Sequence, residues 1–165
     1  MSDFVCEPLG KHHNREQFDC GVPTLNHYLA KTAGQDVKRK AAAVFVMTVA
    51  SQPTRVVGFY TLSATAIELA SLPVELTKKL PRYPEVPAIL IGRLARDLMF
   101  PGVGSLLLAD AITRCIRVAK EIAASVIVVD SKGEAASRFY EKFGFISLPK
   151  LTDRMFLPML TAEKL

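Results

Sequence analysis

Residues 101–105 read Pro-Gly-Val-Gly-Ser, between an apolar run, Ala88 to Leu94, and a long helical pattern. A glycine turn leading from a strand into a helix presents the first helical turn, where backbone N–H groups lack intrahelical partners. The aligned peptide dipoles place partial positive charge at the same end. Gly102 and Gly104 carry no Cβ, so an anion can approach the backbone closely there. The chemistry this implies is retention of a phosphorylated ligand, with Gly102, Val103, Gly104 and Ser105 as a pyrophosphate cradle. No Gly-Lys-Ser/Thr follows and the spacing is not GxGxxG, so the motif is neither a P-loop nor a dinucleotide fingerprint. A turn that only joins a strand to a helix has the same composition.

Basic residues are the second chemical signal. Arg93 lies inside the apolar run and Arg96 just after it. A buried arginine needs a partner, and a salt bridge is the ordinary one. Lys38-Arg39-Lys40 closes a polar helical stretch, and Lys78, Lys79 and Arg82 fall in a proline-rich connector. Such runs are either solvated faces or an electrostatic footprint for a polyanion. The formal net charge of +5 favours an anionic partner: a nucleic acid, an acidic protein or a phosphorylated cofactor. His12 and His13 are adjacent, but no Cys, Asp or Glu stands at a useful helical spacing, so no metal site is expected.

Composition narrows the class. With 50% hydrophobic and 22% charged residues in 165, the chain reads as one globular domain, 1–165. No apolar run approaches the roughly 20 residues that span a bilayer, so no membrane role is expected. The N-terminus has no basic segment leading into an apolar stretch, as a secretory signal would. Cys6, Cys20 and Cys115 are odd in number and lack CxxC spacing, which suits reduced thiols in a cytoplasmic protein.

The elements that must position these groups follow from periodicity. Residues 3–9 suit a short strand, and a helix starts near Pro23 with Leu25, Tyr28 and Leu29 on one face. Residues 41–50 and 55–69 form a hairpin across Ser51-Gln52-Pro53-Thr54. Gly58 within it marks a bulge or a close backbone approach. Residues 71–87 are a connector with one helical turn, and 88–95 are a strand. From Gly104 to Ala123, Leu108, Ile112, Ile116, Ala119 and Ile122 recur at helical spacing, with Asp110 and Arg114 as an i,i+4 pair. A buried strand covers 125–130, and a helix runs from Glu134 to Phe143 with Gly144 as its C-cap. A last strand covers 155–160, where Pro158 argues for an edge or a bulge. The order implies a mixed α/β sheet with helices on its faces.

Several segments together resemble a known family. LIGRLARD followed by PGVGSLLLADA, and SKGEAASRFYEKFGF at 131–145, are similar to the GCN5-related N-acetyltransferases (GNAT). FDCGVPTLNHYL at 18–29, with GFYTLSA and GRLARD, resembles the GNAT toxins of bacterial toxin–antitoxin modules. The resemblance spans nearly the whole chain. It implies an α/β fold with a mixed, mostly antiparallel sheet flanked by helices, and acetyl-CoA held at a splayed parallel strand pair. It implies N-acetyl transfer from acetyl-CoA to the α-amino group of aminoacyl-tRNA, which blocks translation. It further implies a ribbon-helix-helix antitoxin and a homodimer.

On the helix pattern alone Tyr140 is a core aromatic. The resemblance instead makes it the acid that protonates the departing CoA sulfur. Leu94 and Ala95 would contact the acetyl carbonyl, Gly102 to Ser105 the pyrophosphate, and Phe139 the cofactor. Lys38, Arg39, Lys40, Arg93 and Arg96 would meet tRNA. One departure stands out. Where the family has Arg/Gln-x-x-Gly-x-Gly/Ala, this chain has Met99, Phe100, Pro101, Gly102, Val103 and Gly104, with a shorter link from GRLARD. Pro101 removes one N–H. Acetylation of a small or protein amine, and a non-catalytic GNAT fold acting by partner binding, are the alternative readings.

Overall fold

The β-branched and aromatic runs of the sequence become the strands of a seven-stranded sheet in the order β1-β2-β3-β4-β5-β7-β6. The computed structural model describes residues 3–148 and 151–165. Along the chain come β1 (Phe4–Pro8), α1 (Pro23–His27), a π-type segment (Tyr28–Thr32), α2 (Ala33–Lys38), β2 (Ala43–Val49) and β3 (Gln52–Glu68). Then follow α3 (Val74–Thr77), β4 (Glu85–Arg96), α4 (Val103–Val118), β5 (Val126–Asp130), α5 (Glu134–Glu141), β6 (Ile146–Leu148), β7 (Leu151–Pro158) and α6 (Met159–Ala162). The chain forms two compact units: residues up to Ser63 with Gly92–Ala111, and Ala64–Ile91 with Ile112–Leu165. The long elements β3, β4 and α4 run on from one unit into the other.

In the first unit, β1 and β3 flank β2, both antiparallel to it. The core joins Phe18, Tyr28, Leu29 and Ala33 to Val44, Val46, Val56, Phe59 and Ala95. The predicted hairpin is present, and Gly58 serves in both of the ways its position suggested. Met47 pairs with Gly58 and Thr48 with Val56, so Val57 is the extra residue of a bulge. A Cβ on Gly58 would lie 2.6 Å from Leu107 Cδ1 and 3.1 Å from Val103 Cγ1. The missing side chain therefore lets the start of α4 lie directly on β3.

In the second unit, β4 and β5 are parallel, with Ala88↔Val126 through Ile91↔Val129 in register. The crossover between them carries α4, as parallel pairing requires. β7 pairs antiparallel with β5 and with β6. Ile67, Leu72, Val86, Ala88, Val126, Val128, Leu148 and Phe156 make its core.

Two sequence expectations shift. Pro158 ends β7, which lies inside the sheet between β5 and β6 and is not an edge. The proline is tolerated because β6 pairs no further than Ile146↔Phe156, leaving Pro158 without a neighbour on that side. Met159 and Leu160 belong to α6, not to the strand. The long helix ends at Val118, and Ile122 is 75% exposed. Beyond Val118 the bonds become mixed, with Val118 O accepting from both Glu121 N–H at 3.0 Å (i→i+3) and Ile122 N–H at 2.9 Å (i→i+4), while the chain turns back toward β5. Among the described residues, no helix is long and apolar enough to cross a membrane.

Gly58→Ala should destabilise the protein by about 1–3 kcal/mol, because Leu107 is fully buried and Val103 is stiff. Urea unfolding would measure it as a lower midpoint at an unchanged slope.

Candidate active site

Asp97 closes the GRLARD segment and is 2% exposed, a rare position for a carboxylate. Both of its oxygens are used. Oδ1 accepts the Met99 N–H at 2.9 Å, and Oδ2 accepts the Asp19 N–H at 3.1 Å. The Arg55 guanidinium lies 3.6 Å from Oδ2 and faces the Phe100 ring at 5.4 Å. On the main chain, Asp97 O accepts Phe100 N–H at 3.0 Å, and Asp97 N–H donates to Val57 O at 2.8 Å. The Asp97 side chain therefore shapes the turn that follows it and ties that turn to the FDCG segment.

The FDCG segment is itself knotted. Asp19 Oδ1 accepts the Gly21 N–H at 2.8 Å and the Asn26 amide N–H at 3.0 Å, while Asn26 Oδ1 accepts the Cys20 N–H at 2.9 Å. The Gly21 N–H, then the Asn26 amide, hold the Asp19 carboxyl below the usual carboxylate range. Leu98 N–H donates to Asp19 O at 2.9 Å, completing the tie between the FDCG and GRLARD segments.

After this hub come the predicted cradle residues. Gly102 has φ +91°, and a Cβ there would meet nothing within 4 Å. Val103 is buried as the first residue of α4, Gly104 is half-buried, and Ser105 is exposed. The Val103 N–H already reaches Phe100 O at 3.3 Å, so it is the least available donor of the set. Leu94 is half-buried and Ala95 is buried near the end of β4.

Among the described residues Arg93 has an aromatic partner in place of the salt bridge that is ordinary for a buried arginine. Its guanidinium lies over the Tyr28 ring at 3.6 Å, a cation–π contact, and the Arg93 main-chain N–H donates to the buried Thr61 hydroxyl at 3.0 Å. The Tyr28 hydroxyl donates to Asp36 on α2 at 2.7 Å. Burial, aided by that carboxylate, pushes the Tyr28 phenol up to about 12. This chain of contacts links Arg93 to α2, whose end carries the exposed Lys38, followed by Arg39 and Lys40. Ala33 N–H reaches back to Tyr28 O, the widened turn of a π segment, and Arg15 donates to Leu29 O at 3.3 Å. Arg96 donates to Asp97 O at 3.2 Å.

Phe139 and Tyr140 belong to the second unit, on α5, apart in the chain from the other predicted residues. Tyr140 is 7% exposed, edge-on to Phe139 at 5.3 Å and to Phe145 at 5.5 Å. Among the described residues nothing pairs with its hydroxyl. Burial, with the Asp130 carboxylate adding to it, pushes this phenol up to about 12. Half-buried Phe139 also packs on Phe143 at 5.7 Å. Gly144, at φ +97°, caps the helix as predicted.

The histidine pair has a partner that helical spacing could not show. Glu7 on β1 places Oε2 2.8 Å from His13 Nε2 and 3.3 Å from His12 Nε2. Three such groups would suit a divalent cation. However, the Gly10 N–H donates to His13 Nδ1 at 2.9 Å, which fixes the proton on Nε2 and opposes coordination there. These hydrogen bonds, the one from His13 first, hold the Glu7 carboxyl below its ordinary range.

No protein-family model matches the sequence. A probable toxin TacT of Sinorhizobium fredii is 33% identical over 171 residues, covering 98% of this chain and 94% of the relative. The tRNA-acetylating toxin of Mycobacterium tuberculosis is 36% identical over 148 residues, 88% of this chain and 85% of the relative. The chain belongs to the GNAT toxins. Solved GNAT toxins share the fold. AtaT complexed with acetyl-methionyl-tRNAfMet matches at TM-score 0.91 and 27% identity, over 98% of each chain. AtaTR bound with AcCoA matches at 0.84 and 27%, over 99% of this chain and 98% of the other.

Within this GNAT toxin, sequence reasoning missed Asp97, Arg55, Tyr28 and Asn26 as organisers of the site. Asp97 and Asn26 stood in motifs already quoted, but nothing in the sequence shows which backbone N–H groups a side chain will meet. Because space around Gly102 is open, substitution there should cost only backbone strain. Gly102→Val should lose about 1–2 kcal/mol, and Gly102→Asn clearly less, since Asn tolerates positive φ. Thermal unfolding of the two variants would compare them.

Proposed function

We propose that this chain is a single acetyltransferase domain that moves acetyl from acetyl-CoA to the α-amino group of an aminoacyl-tRNA, and so blocks translation. The observation that carries the reading is 36% identity to a tRNA-acetylating toxin across 88% of the chain. The solved AtaT complexes with acetyl-methionyl-tRNAfMet and with AcCoA support the two substrates. A cytoplasmic site of action, a homodimer and a ribbon-helix-helix antitoxin complete the proposal.

The chemistry can be followed atom by atom. The free-base amine attacks the thioester carbonyl carbon. A C–N bond forms, the C–S bond breaks, the nitrogen sheds a proton, and the sulfur gains one. Tyr140 is the proton donor, because a phenol held near 12 stays protonated at neutral pH. The proton released by the amine restores the phenol through solvent. Main-chain N–H at Leu94 or Ala95 polarises the carbonyl. Gly102, Gly104 and Ser105 hold the diphosphate at the start of α4, with Val103 contributing less, and Phe139 packs against the cofactor. Lys38, Arg39, Lys40, Arg93 and Arg96 contact tRNA phosphates, in keeping with the net charge of +5.

Labelled acetyl-CoA with charged tRNA should place label on the aminoacyl group, whereas free amino acids and peptides remain unlabelled. Label on the free amines alone would contradict the assignment. Tyr140→Phe should lower kcat by about 100-fold or more with acetyl-CoA affinity unchanged. The wild-type rate should rise with pH as the amine loses its proton. It should show no falling limb from the phenol below about 12, because burial favours the neutral form.

A further inference from the structure

The turn at 98–102 is exposed, yet it is not loosely held. Leu98 is 57% exposed and Met99 77%, and Pro101 and Gly102 lie on the surface. Apolar burial therefore contributes little to fixing its shape. Hydrogen bonds fix it: the buried Asp97 side chain holds Met99 N–H, Asp97 O holds Phe100 N–H, and Asp19 O holds Leu98 N–H. The carboxylate's other oxygen holds Asp19 N–H, and Arg55 supplies the opposing charge. Arg55 sits with its side chain 15% exposed. Its Nε–H finds no acceptor among the described residues, so its role here is charge and its face over Phe100.

We propose that Asp97, braced by Arg55, is a positioning residue for acyl-donor binding. It pre-sets the turn so that the main-chain donors at Gly102 and Gly104 are already aimed when acetyl-CoA arrives. The inference rests on the proposed function. Its chemical logic is that both carboxylate oxygens accept. An asparagine has one accepting oxygen and one NH2, so Asp97→Asn must set a donor against either Met99 N–H or Asp19 N–H. The turn then no longer has a single held shape, and donor binding carries the cost of ordering it.

The test uses the full-length wild type with Asp97→Asn, Arg55→Met and Arg55→Lys. Folding is followed by circular dichroism, acetyl-CoA affinity by calorimetry, and kcat and KM for each substrate with charged tRNA. Asp97→Asn should weaken acetyl-CoA binding on the order of ten-fold, with kcat at saturation and the KM for tRNA within about two-fold. Arg55→Met should shift the same way and Arg55→Lys should restore most of the loss. Wild-type acetyl-CoA affinity in folded Asp97→Asn or Arg55→Met would overturn the inference. So would a loss of activity that tracks only the folded fraction. If Asp97→Asn fails to fold, the Arg55 pair decides: a difference between Met and Lys upholds the inference, and equality overturns it. Wild-type protein that binds acetyl-CoA but leaves tRNA unlabelled overturns the proposed function alone. Wild-type protein that binds no acetyl-CoA overturns both.

Discussion

A carboxyl group removed from water must have its oxygens met by hydrogen-bond donors or countercharge, or its burial is costly. Asp97 meets that requirement with two main-chain N–H groups and the Arg55 guanidinium. The same contacts that make its burial tolerable also fix the backbone on either side. The demand of one buried charge thus becomes the shape of an exposed turn, and draws the FDCG segment to it through Leu98 N–H and Asp19 O. Removal of the carboxylate would leave both N–H groups and the guanidinium without this partner, so the cluster acts as a unit.

Around this hub the first unit is arranged by close approaches. Gly58 lets α4 begin directly against β3, and the bulge at Val57 bends the strand at that point. Tyr60 donates to Asp110 at 2.6 Å, anchoring the helix further along. Arg93 is positioned by stacking on Tyr28, which leaves its charge without a carboxylate partner of its own in that contact. In the second unit, α5 holds Tyr140 in an aromatic cluster that keeps the phenol neutral and its hydroxyl uncommitted among the described residues.

Much of the fold was legible because it rests on local rules. The 41–69 hairpin showed in its apolar strands and polar turn, the helix start at Pro23 in the proline, and the end of α5 in Gly144. The family was legible from motif segments spread across the chain. What stayed hidden depends on distant partners. Asp97 and Asp19 are 78 residues apart, and a main-chain donor leaves no mark in composition. His13 meets Glu7 because a turn at Gly10 folds the chain back on β1, where helical spacing says nothing. The π segment adds one residue to a turn without a distinctive sequence. Pro158 misled because an edge can be local: β6 ends before it while the sheet continues.

On the proposed reading, the turn held by Asp97 offers the N–H groups of Gly102 and Gly104 to the acyl donor. A titration of glycine-labelled protein with acetyl-CoA, followed by amide NMR, tests it most directly. The Gly102 and Gly104 resonances should shift to saturation with the affinity measured by calorimetry. Saturable acetyl-CoA binding that leaves both resonances unmoved would contradict it.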